Sequence, residues 1–517
     1  MSGLIDTNGL NLGTGLSWLS GGLGQAGLVI TTSTSAAAEL LALYGPQGVA
    51  IVFDDDQSMA IVDSSTPANN YSSSGTVSSA GALIGPGGKL TYTSPSAKLT
   101  LQSTGLYKYN AHNLYLNSAA PANQAITVTS GATYEIVITG TVSITWSGAY
   151  VGTTTSGTTA FTAATGTLTG GSTSGSGTVA VRRTPVNSDY VATTSTALYA
   201  LPYEWDTAGL LLGVKIELAA TNVVLRNRDL TNASWTKTNC TAAKDQTGID
   251  GVSNSASSLT ASAGNATCLQ AITLASSARY QTAFVKRLTG SGTIEMTMDN
   301  GTTWTAVTVT ASWSRVSIPK QTLANPTVGF RIVTSGDAVA IDFVQNENST
   351  VESSPIEVPA GSTVTRAVDQ VAIADTLFPT STTGLLLFAQ FTARNFAANR
   401  YICYGNAGQT NYFEIVHNAS NQVRGASDGT NGIAIANFNT YTSGTVKAAL
   451  SAKLNEARMA VNGVGLTPDT VCTVPNPDAL YISGRTPTFG AMNAPIQKVM
   501  LLPRSAVDQA EINAMTV

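Results

Sequence analysis

Acid–base or nucleophilic chemistry needs a titratable group held against a partner, and this 517-residue chain offers few candidates. Its two histidines are His112, in Tyr109-Asn110-Ala111-His112-Asn113, and His417, at the end of a strand-like run. Neither stands near a Ser or Cys nucleophile motif, so both are expected as hydrogen-bonded side chains. Glycoside cleavage would require paired carboxylates on facing strands. Glu295, Asp299, Asp342 and Glu414 qualify only as the carboxylates of any β-protein would. Asp54-Asp55-Asp56 could offer oxygens to calcium, but three adjacent carboxylates cannot all face one ion, and no EF-hand spacing surrounds them. A solvated turn after Ala50-Ile51-Val52-Phe53 is the expectation. Gly85-Pro86-Gly87-Gly88-Lys89 misplaces the first glycine of a phosphate loop and has Leu90 where a Ser or Thr is required. It reads as a turn. No metal, cofactor or catalytic residue is assigned, and binding is the expected chemistry.

Sugar binding needs an apolar platform beside groups that bond hydroxyls. The aromatic candidates are Trp146, Trp235, Trp304 and Trp313, with Tyr150 and Tyr412. Trp146 shares the apolar side of its strand and Trp235 lies in a longer phrase, so packing is expected for both. Trp304 follows Asn300-Gly301 and is the aromatic expected to be most exposed. The polar candidates are Asn418 and Asn421 in one loop and Asp428 and Asn431 in the next, with Tyr412 or Phe438 as the platform. Because the two loops follow adjacent strands, they are expected near one another. The competing reading is ordinary hairpin loops, since Asn, Asp, Ser and Gly are favoured in turns for conformational reasons alone.

The elements that must position these residues read as strands. Charged residues make up 11% of the chain, against a usual quarter, and Ser, Thr, Gly, Ala and Asn fill the gap. Hydrophobic content is 43%, enough to bury cores. This is the profile of tandem antiparallel β-sandwiches. A first module is expected over 48–200, where Tyr134, Ile136, Ile138, Val142, Ile144 and Trp146 alternate as a strand pair with one buried face. The Ser/Thr-rich stretch 151–178 keeps a sparse apolar alternation and is expected as thin strands of the same sandwich. A second module is expected over 201–370, with an Asn300-Gly301 hairpin after the alternating Ile294, Met296 and Met298. A third, 371–517, contains the buried run Leu385 to Phe391, Tyr412 to His417, an Asn462-Gly463 turn and a short capped helix over 505–512. It is expected to fold alone. Residues 1–47 hold a Gly/Leu-rich leader around Trp18 and a short helix over 35–43. They read either as an anchor to a larger particle, through Leu10, Leu12, Leu16, Trp18 and Leu19, or as the first elements of the next module.

The net charge of −4 and the lack of a basic block beyond Arg182-Arg183 and Lys286-Arg287 argue against nucleic acid. No run of eighteen apolar residues predicts a membrane span. The start, Met1-Ser2-Gly3-Leu4-Ile5-Asp6, has no basic segment of a secretion signal, so assembly in a host cytoplasm is expected. The four cysteines form no C-x-x-C pair; free thiols are expected, although Cys240 with Cys268 and Cys403 with Cys472 could each pair.

Three phrases stand in fixed order: Leu201-Pro202-Tyr203-Glu204-Trp205-Asp206; Arg228-Asp229-Leu230-Thr231-Asn232-Ala233-Ser234-Trp235-Thr236-Lys237; and Ser353-Ser354-Pro355-Ile356 followed by Val364-Thr365-Arg366-Ala367-Val368-Asp369. Together they resemble the modular structural proteins of tailed bacteriophages: fibres, spikes and minor tail proteins. The last 140 residues or so, with Val461-Asn462-Gly463, Leu480-Tyr481-Ile482-Ser483-Gly484 and the terminal helix, resemble concanavalin A-like, laminin-G-like domains. The resemblance implies a virion protein, anchored by its N-terminus to other virion proteins, homotrimeric, and displaying a lectin-like domain to host-surface glycans. A capsid decoration or head-fibre protein without receptor recognition is the alternative, and a polysaccharide-degrading tailspike the third reading.

Overall fold

The computed structural model describes residues 96–517, apart from 188–189, 349–351, 375–383, 397, 406–411, 430–431, 473–478, 485–489 and 503–507. It also describes the backbone of five earlier strands, Val49–Phe53, Met59–Asp63, Thr76–Val77, Ala82–Ile84 and Leu90–Thr93. The leader residues Leu10, Leu12, Leu16, Trp18 and Leu19, the helix expected over 35–43, Asp54-Asp55-Asp56 and the Gly85–Lys89 turn lie outside the described residues. The fold is all-β, with one short helix, Gln509–Met515, capped by the Asp508 side chain rather than begun at 505. The paired strands run antiparallel. No helix of the described residues is long and apolar enough to cross a membrane.

The sheets cross the boundaries expected at 200 and 370. One nine-stranded sheet is built from Leu385–Thr392, Thr445–Lys453, Glu456–Val461, Val464–Gly465 and Pro495–Leu502, together with Val49–Phe53, Met59–Asp63, Tyr203–Trp205 and Leu211–Lys215. The far side of Pro495–Leu502 is shared: Val49 to Val52 pair with Leu501 to Lys498, and Val214 and Lys215 pair with Ile496 and Pro495. The facing nine-stranded sheet joins Thr76–Val77, Ala82–Ile84 and Leu90–Thr93 to Gln370–Ala374, Ala479–Ile482, Arg400–Gly405, Tyr412–His417, Gln422–Gly429 and Gly432–Thr440. One outer sandwich is thus assembled from three separated stretches, and two further sandwiches sit inside its chain path. The reason is that β-pairing needs only a free edge, and local periodicity does not say which edge a strand will meet.

The outer core gathers Leu387, Phe391, Phe413, Ile415, Leu450, Met459 and Val499 with Tyr203, Trp205 and Val214. The first inserted sandwich packs Tyr134, Ile136, Ile138, Val142, Ile144 and Trp146 into one core, as the alternation demands. They are not a hairpin, however: Thr133–Ile138 and Ser143–Gly148 belong to different sheets, and Gly140, at φ +72°, lets the chain cross between them. The Ser/Thr-rich stretch forms Gly152–Thr154, Gly157–Thr162 and Leu168–Ser174 in the same sandwich. The second inserted sandwich encloses Leu230, Trp235, Cys268, Val285, Met296, Phe330 and Val344. Asn300 and Gly301 both take positive φ, the geometry of their expected turn. All four cysteines are free.

Candidate functional site

The polar residues of the three phrases converge where the sandwiches meet. Glu217, fully buried between the first and second phrases, accepts from the Ser354 backbone N–H at 2.8 Å, from the Ser354 hydroxyl, and from Arg366 Nη1 at 2.9 Å. Arg366 Nη2 donates to Leu218 O at 2.8 Å, and the Glu217 N–H donates to Asp369 Oδ2 at 2.9 Å. Lys98, just before the short strand Leu99–Leu101, pairs with the other oxygen of Asp369. Nearby, Lys215 Nζ lies 3.0 Å from Glu204 Oε1, and Arg394 joins Glu204 to Glu352 at 3.5 and 2.7 Å. Burial alone would raise the Glu217 carboxyl, but Arg366, Lys215, Lys98 and the Ser354 bond outweigh it and hold its pKa at about 2.

A second buried cluster joins the two inserted sandwiches. Arg228 forks onto Asp342 at 2.7 and 3.2 Å, and its Nη1 lies 2.8 Å from Asp250 and 3.3 Å from Glu357. Arg183, from the first inserted sandwich, reaches the same Glu357 at 3.0 Å. Burial works against the Arg228 charge, yet the three carboxylates raise its pKa well above the usual value. Burial also lifts the Asp342 carboxyl, against the pull of Arg228. The twin short bonds identify the pair as charged, because both Asp342 oxygens accept. His112 lies beside this cluster with its ring stacked on Tyr199 at 5.7 Å. Its Nε2 accepts from the Arg183 N–H at 2.8 Å, so Nδ1 carries the proton and donates to Asn110 O at 2.8 Å. Burial pushes its pKa down to about 4.

The second phrase closes on itself. The Lys237 ammonium donates to the carbonyls of Leu230, Thr231, Asn232 and Trp235 at 2.8–3.3 Å. Trp235 plugs the core below, and its Nε1 donates to Arg226 O at 3.3 Å.

Two recesses border the junction. One, of about 170 Å³, is lined by Tyr109, His112, Tyr134, Tyr199, Arg183 and Glu357. The other, of about 370 Å³, is lined by Thr133, Thr162, Arg226, Lys244, Asn254 and Ser255 among others. Nothing in the sequence points to either, because their walls come from both inserted sandwiches.

The polar residues expected to bind glycan are not gathered. Tyr412 is the register partner of Asp428, whereas His417 pairs with Val423. Asn418 and Asn421 therefore turn the chain at one end of the strands, about 20 Å from the Tyr412 end at 3.4 Å per residue. Successive loops of an antiparallel meander fall at opposite ends, which adjacency in sequence conceals. Asn418 Oδ1 accepts from the Ser420 and Gln422 N–H groups, both at 2.9 Å, and Asn421 Oδ1 from the Phe396 N–H at 2.8 Å. Asn418 thus holds its own turn, and Asn421 ties that turn to Asn395 and Phe396. The Asp428 and Phe438 side chains and Asn431 lie outside the described residues. Tyr412 stacks on buried Tyr404, with centroids 5.2 Å apart. Trp304 is half-buried, with Arg331 over its ring at 4.5 Å, and Trp313 is covered by Lys286 at 4.9 Å. Trp146 and Trp235 are buried. Among the described residues, no group of three or more His, Cys, Asp or Glu side chains is placed to hold a metal ion.

No family model matches the chain, and no curated protein matches it. Among solved structures it is similar to the CBM40 of the Ruminococcus gnavus IT-sialidase, bound to α2,3-sialyllactose, at 13% identity over 26% of this chain and 84% of that chain, with a TM-score of 0.23. It is similar to domain 4 of AbnA, a GH43 extracellular arabinanase from Geobacillus stearothermophilus in complex with arabinotriose, at 10% identity over 29% and 73%, TM-score 0.23. The NanB sialidase from Streptococcus pneumoniae matches at 14% identity over 27% and 26%, TM-score 0.24. Likeness of this extent assigns no ligand to the chain.

Proposed function

We propose that the chain is a structural component of a tailed-phage-like particle, of the fibre or spike type, which presents β-sandwich modules to glycans on a host surface and performs no catalysis. The observation that carries this reading is that residues of all three phrases lie in buried polar clusters where the sandwiches meet. Ser354 and Arg366 bond to the Glu217 carboxylate across the sandwiches, Asp369 accepts from the Glu217 N–H, Arg228 shares Glu357 with Arg183 of the first inserted sandwich, and Glu204 meets Arg394, which also reaches Glu352. The residues that give the chain its resemblance to phage structural proteins thus serve as a mount, the part that a load-carrying particle protein needs. Such a mount keeps the binding modules rigid, which lowers the entropy lost on docking. In this reading residues 1–47 join other virion proteins, a homotrimer is the assembled form, and the C-terminal strands supply the lectin-like display.

The capsid decoration reading has one observation in its favour: Asn418 is bonded within its own turn and Asn421 to Asn395 and Phe396, rather than offered to a ligand. Two measurements decide. Immunogold labelling should place the chain on intact particles, and its absence from them would refute the virion reading. A glycan array probed with the full chain should give specific binding; a particle-borne chain that binds no glycan is a decoration protein.

A further inference from the structure

The smaller of the two recesses, of about 170 Å³, has aromatic and hydroxyl-bearing walls. Tyr134 and Arg183 reach it from paired strands of the first inserted sandwich, Thr133–Ile138 and Val179–Arg183, on which they are register partners. Tyr199 reaches it from the short strand Leu198–Tyr199, opposite His112. The third phrase adds Ile356, Thr365 and Arg366, and Glu357 stands beside them. Thr127 and Thr365, among the lining residues, are exposed, and Tyr199 is half-buried, so the recess opens to solvent.

The phenols of this recess keep bonding capacity, because a phenol both donates and accepts. The Tyr134 oxygen accepts from the Thr129 N–H at 2.8 Å, and its own proton has no acceptor among the described residues. The Tyr199 hydroxyl makes no hydrogen bond among the described residues. Tyr109 is spent in part, 3.4 Å from Glu357 Oε2. The rings themselves are fixed in place. Tyr199 stacks on His112 with centroids 5.7 Å apart, Tyr134 on Phe161 at 5.8 Å, and the Arg183 guanidinium lies 5.0 Å from the Tyr109 ring centroid. Side chains held before a ligand arrives lose little entropy when it docks.

The charged groups of the recess are matched within the protein. Glu357 holds Arg183 at 3.0 Å, Glu217 holds Arg366 at 2.9 Å, and both ring nitrogens of His112 are bonded. Burial pushes the Tyr199 phenol up to about 12, so it is uncharged at neutral pH. The walls thus offer hydroxyls and aromatic carbon with no unmatched charge. An ion entering here would give up hydration without gaining a counter-charge. A cavity of about 150 Å³ holds a benzene ring, so this recess is sized for one ring and not for a chain of them. We propose that it binds one uncharged sugar ring, with the sugar hydroxyls on the phenols of Tyr134 and Tyr199. The inference takes its ligand class from the glycan-binding reading above and rests on it.

The test is ligand-observed NMR with the full chain and three hexoses, D-glucose, D-galactose and D-mannose, each beside its uronate. At least one hexose should bind, and more tightly than its uronate. Tyr199→Phe and Tyr134→Phe each remove a hydroxyl and keep the ring. Each should weaken that hexose by about two- to tenfold, the worth of one neutral hydrogen bond, and the two together by more than either. Tyr199→Phe should leave the melting temperature unchanged, because the stacking on His112 is kept. If the Tyr134 variant fails to fold, Tyr199→Phe decides alone. The proposal falls if no hexose binds, if the uronate binds as tightly as its hexose, or if affinity is unchanged in Tyr199→Phe. An array of neutral and acidic glycans separates the two readings. Array binding that is undiminished in Tyr199→Phe rejects this site and keeps glycan recognition; no binding by the unaltered chain rejects both.

Discussion

At the junction between the sandwiches, Arg228 is surrounded by Asp342, Asp250 and Glu357, and Glu217 by Arg366 and Ser354. Inside the second inserted sandwich, the side chains of Gln281 and Asn346 are just as deeply buried and have no hydrogen-bond partner. The two regions have similar burial and opposite satisfaction. Charge matched inside the protein holds modules together and leaves no valence for a ligand. Polar groups left unmatched weaken the fold. Burial alone does not tell whether a polar group stabilises the fold; the hydrogen-bond inventory does.

The comparison is tested most severely by removing what the junction joins. A fragment of residues 375–517 lacks Val49–Phe53 and Leu211–Lys215, which line one side of Pro495–Leu502, and Gln370–Ala374 beside Ala479–Ile482. It should show no cooperative melt by circular dichroism, and a folded fragment would overturn the split sandwich. Next in size, Arg228→Met leaves Asp342 and Asp250 without their cation and Glu357 with Arg183 alone, and should cost about 3–5 kcal/mol in urea denaturation. A loss below about 1 kcal/mol would mean that the cluster does not lock the inserted sandwiches.

The third prediction concerns pH. His112 titrates at about 4 when folded and at 6.5 ordinarily, so the unfolded chain takes up the proton first as pH falls. Its contribution is complete above pH 6.5 and is lost progressively toward pH 4, a change of about 3 kcal/mol. Glu217, at about 2 against 4.5, extends the acid loss below that range. Stability measured from pH 7 to 4 should fall in the native chain and flatten in His112→Gln; equal slopes would reject the buried neutral imidazole. A smaller effect is expected at the Asn418 turn, where Asn418→Ala removes two backbone bonds and should cost about 1 kcal/mol without altering glycan binding. Smallest of all, Gln281→Leu alone should leave stability unchanged or slightly raised. A loss like that of Arg228→Met would show that the amide is satisfied after all, and the contrast between the two regions would disappear.

Much of the local structure was legible. The alternation of Tyr134 to Trp146, the Asn300-Gly301 and Asn462-Gly463 turns, and the thin strands in 151–178 all stand where periodicity and turn chemistry put them. Trp146 and Trp235 are buried as expected, but Trp304 lies under Arg331, which comes from a strand two places away in the sheet and which no local window contains. Asn418 and Asn421 attract attention for hydroxyl bonding, yet the same chemistry is what a tight turn needs from them.

What the sequence determined by itself was the class of structure: all-β sandwiches, with strand faces set by a period of two and turns set by residues that tolerate positive φ. Those are short-range properties, decided by steric preference and by which side chains leave water. The tertiary structure alone decided that Val49–Phe53 pairs with Pro495–Leu502 at the other end of the chain, that residues of the three phrases meet in buried clusters between the sandwiches, and that the buried side chains of Gln281 and Asn346 end without a hydrogen-bond partner. A strand edge accepts any partner with compatible register, and a buried charge is stable only beside charges brought from elsewhere in the chain. Neither condition can be evaluated until the chain has closed on itself.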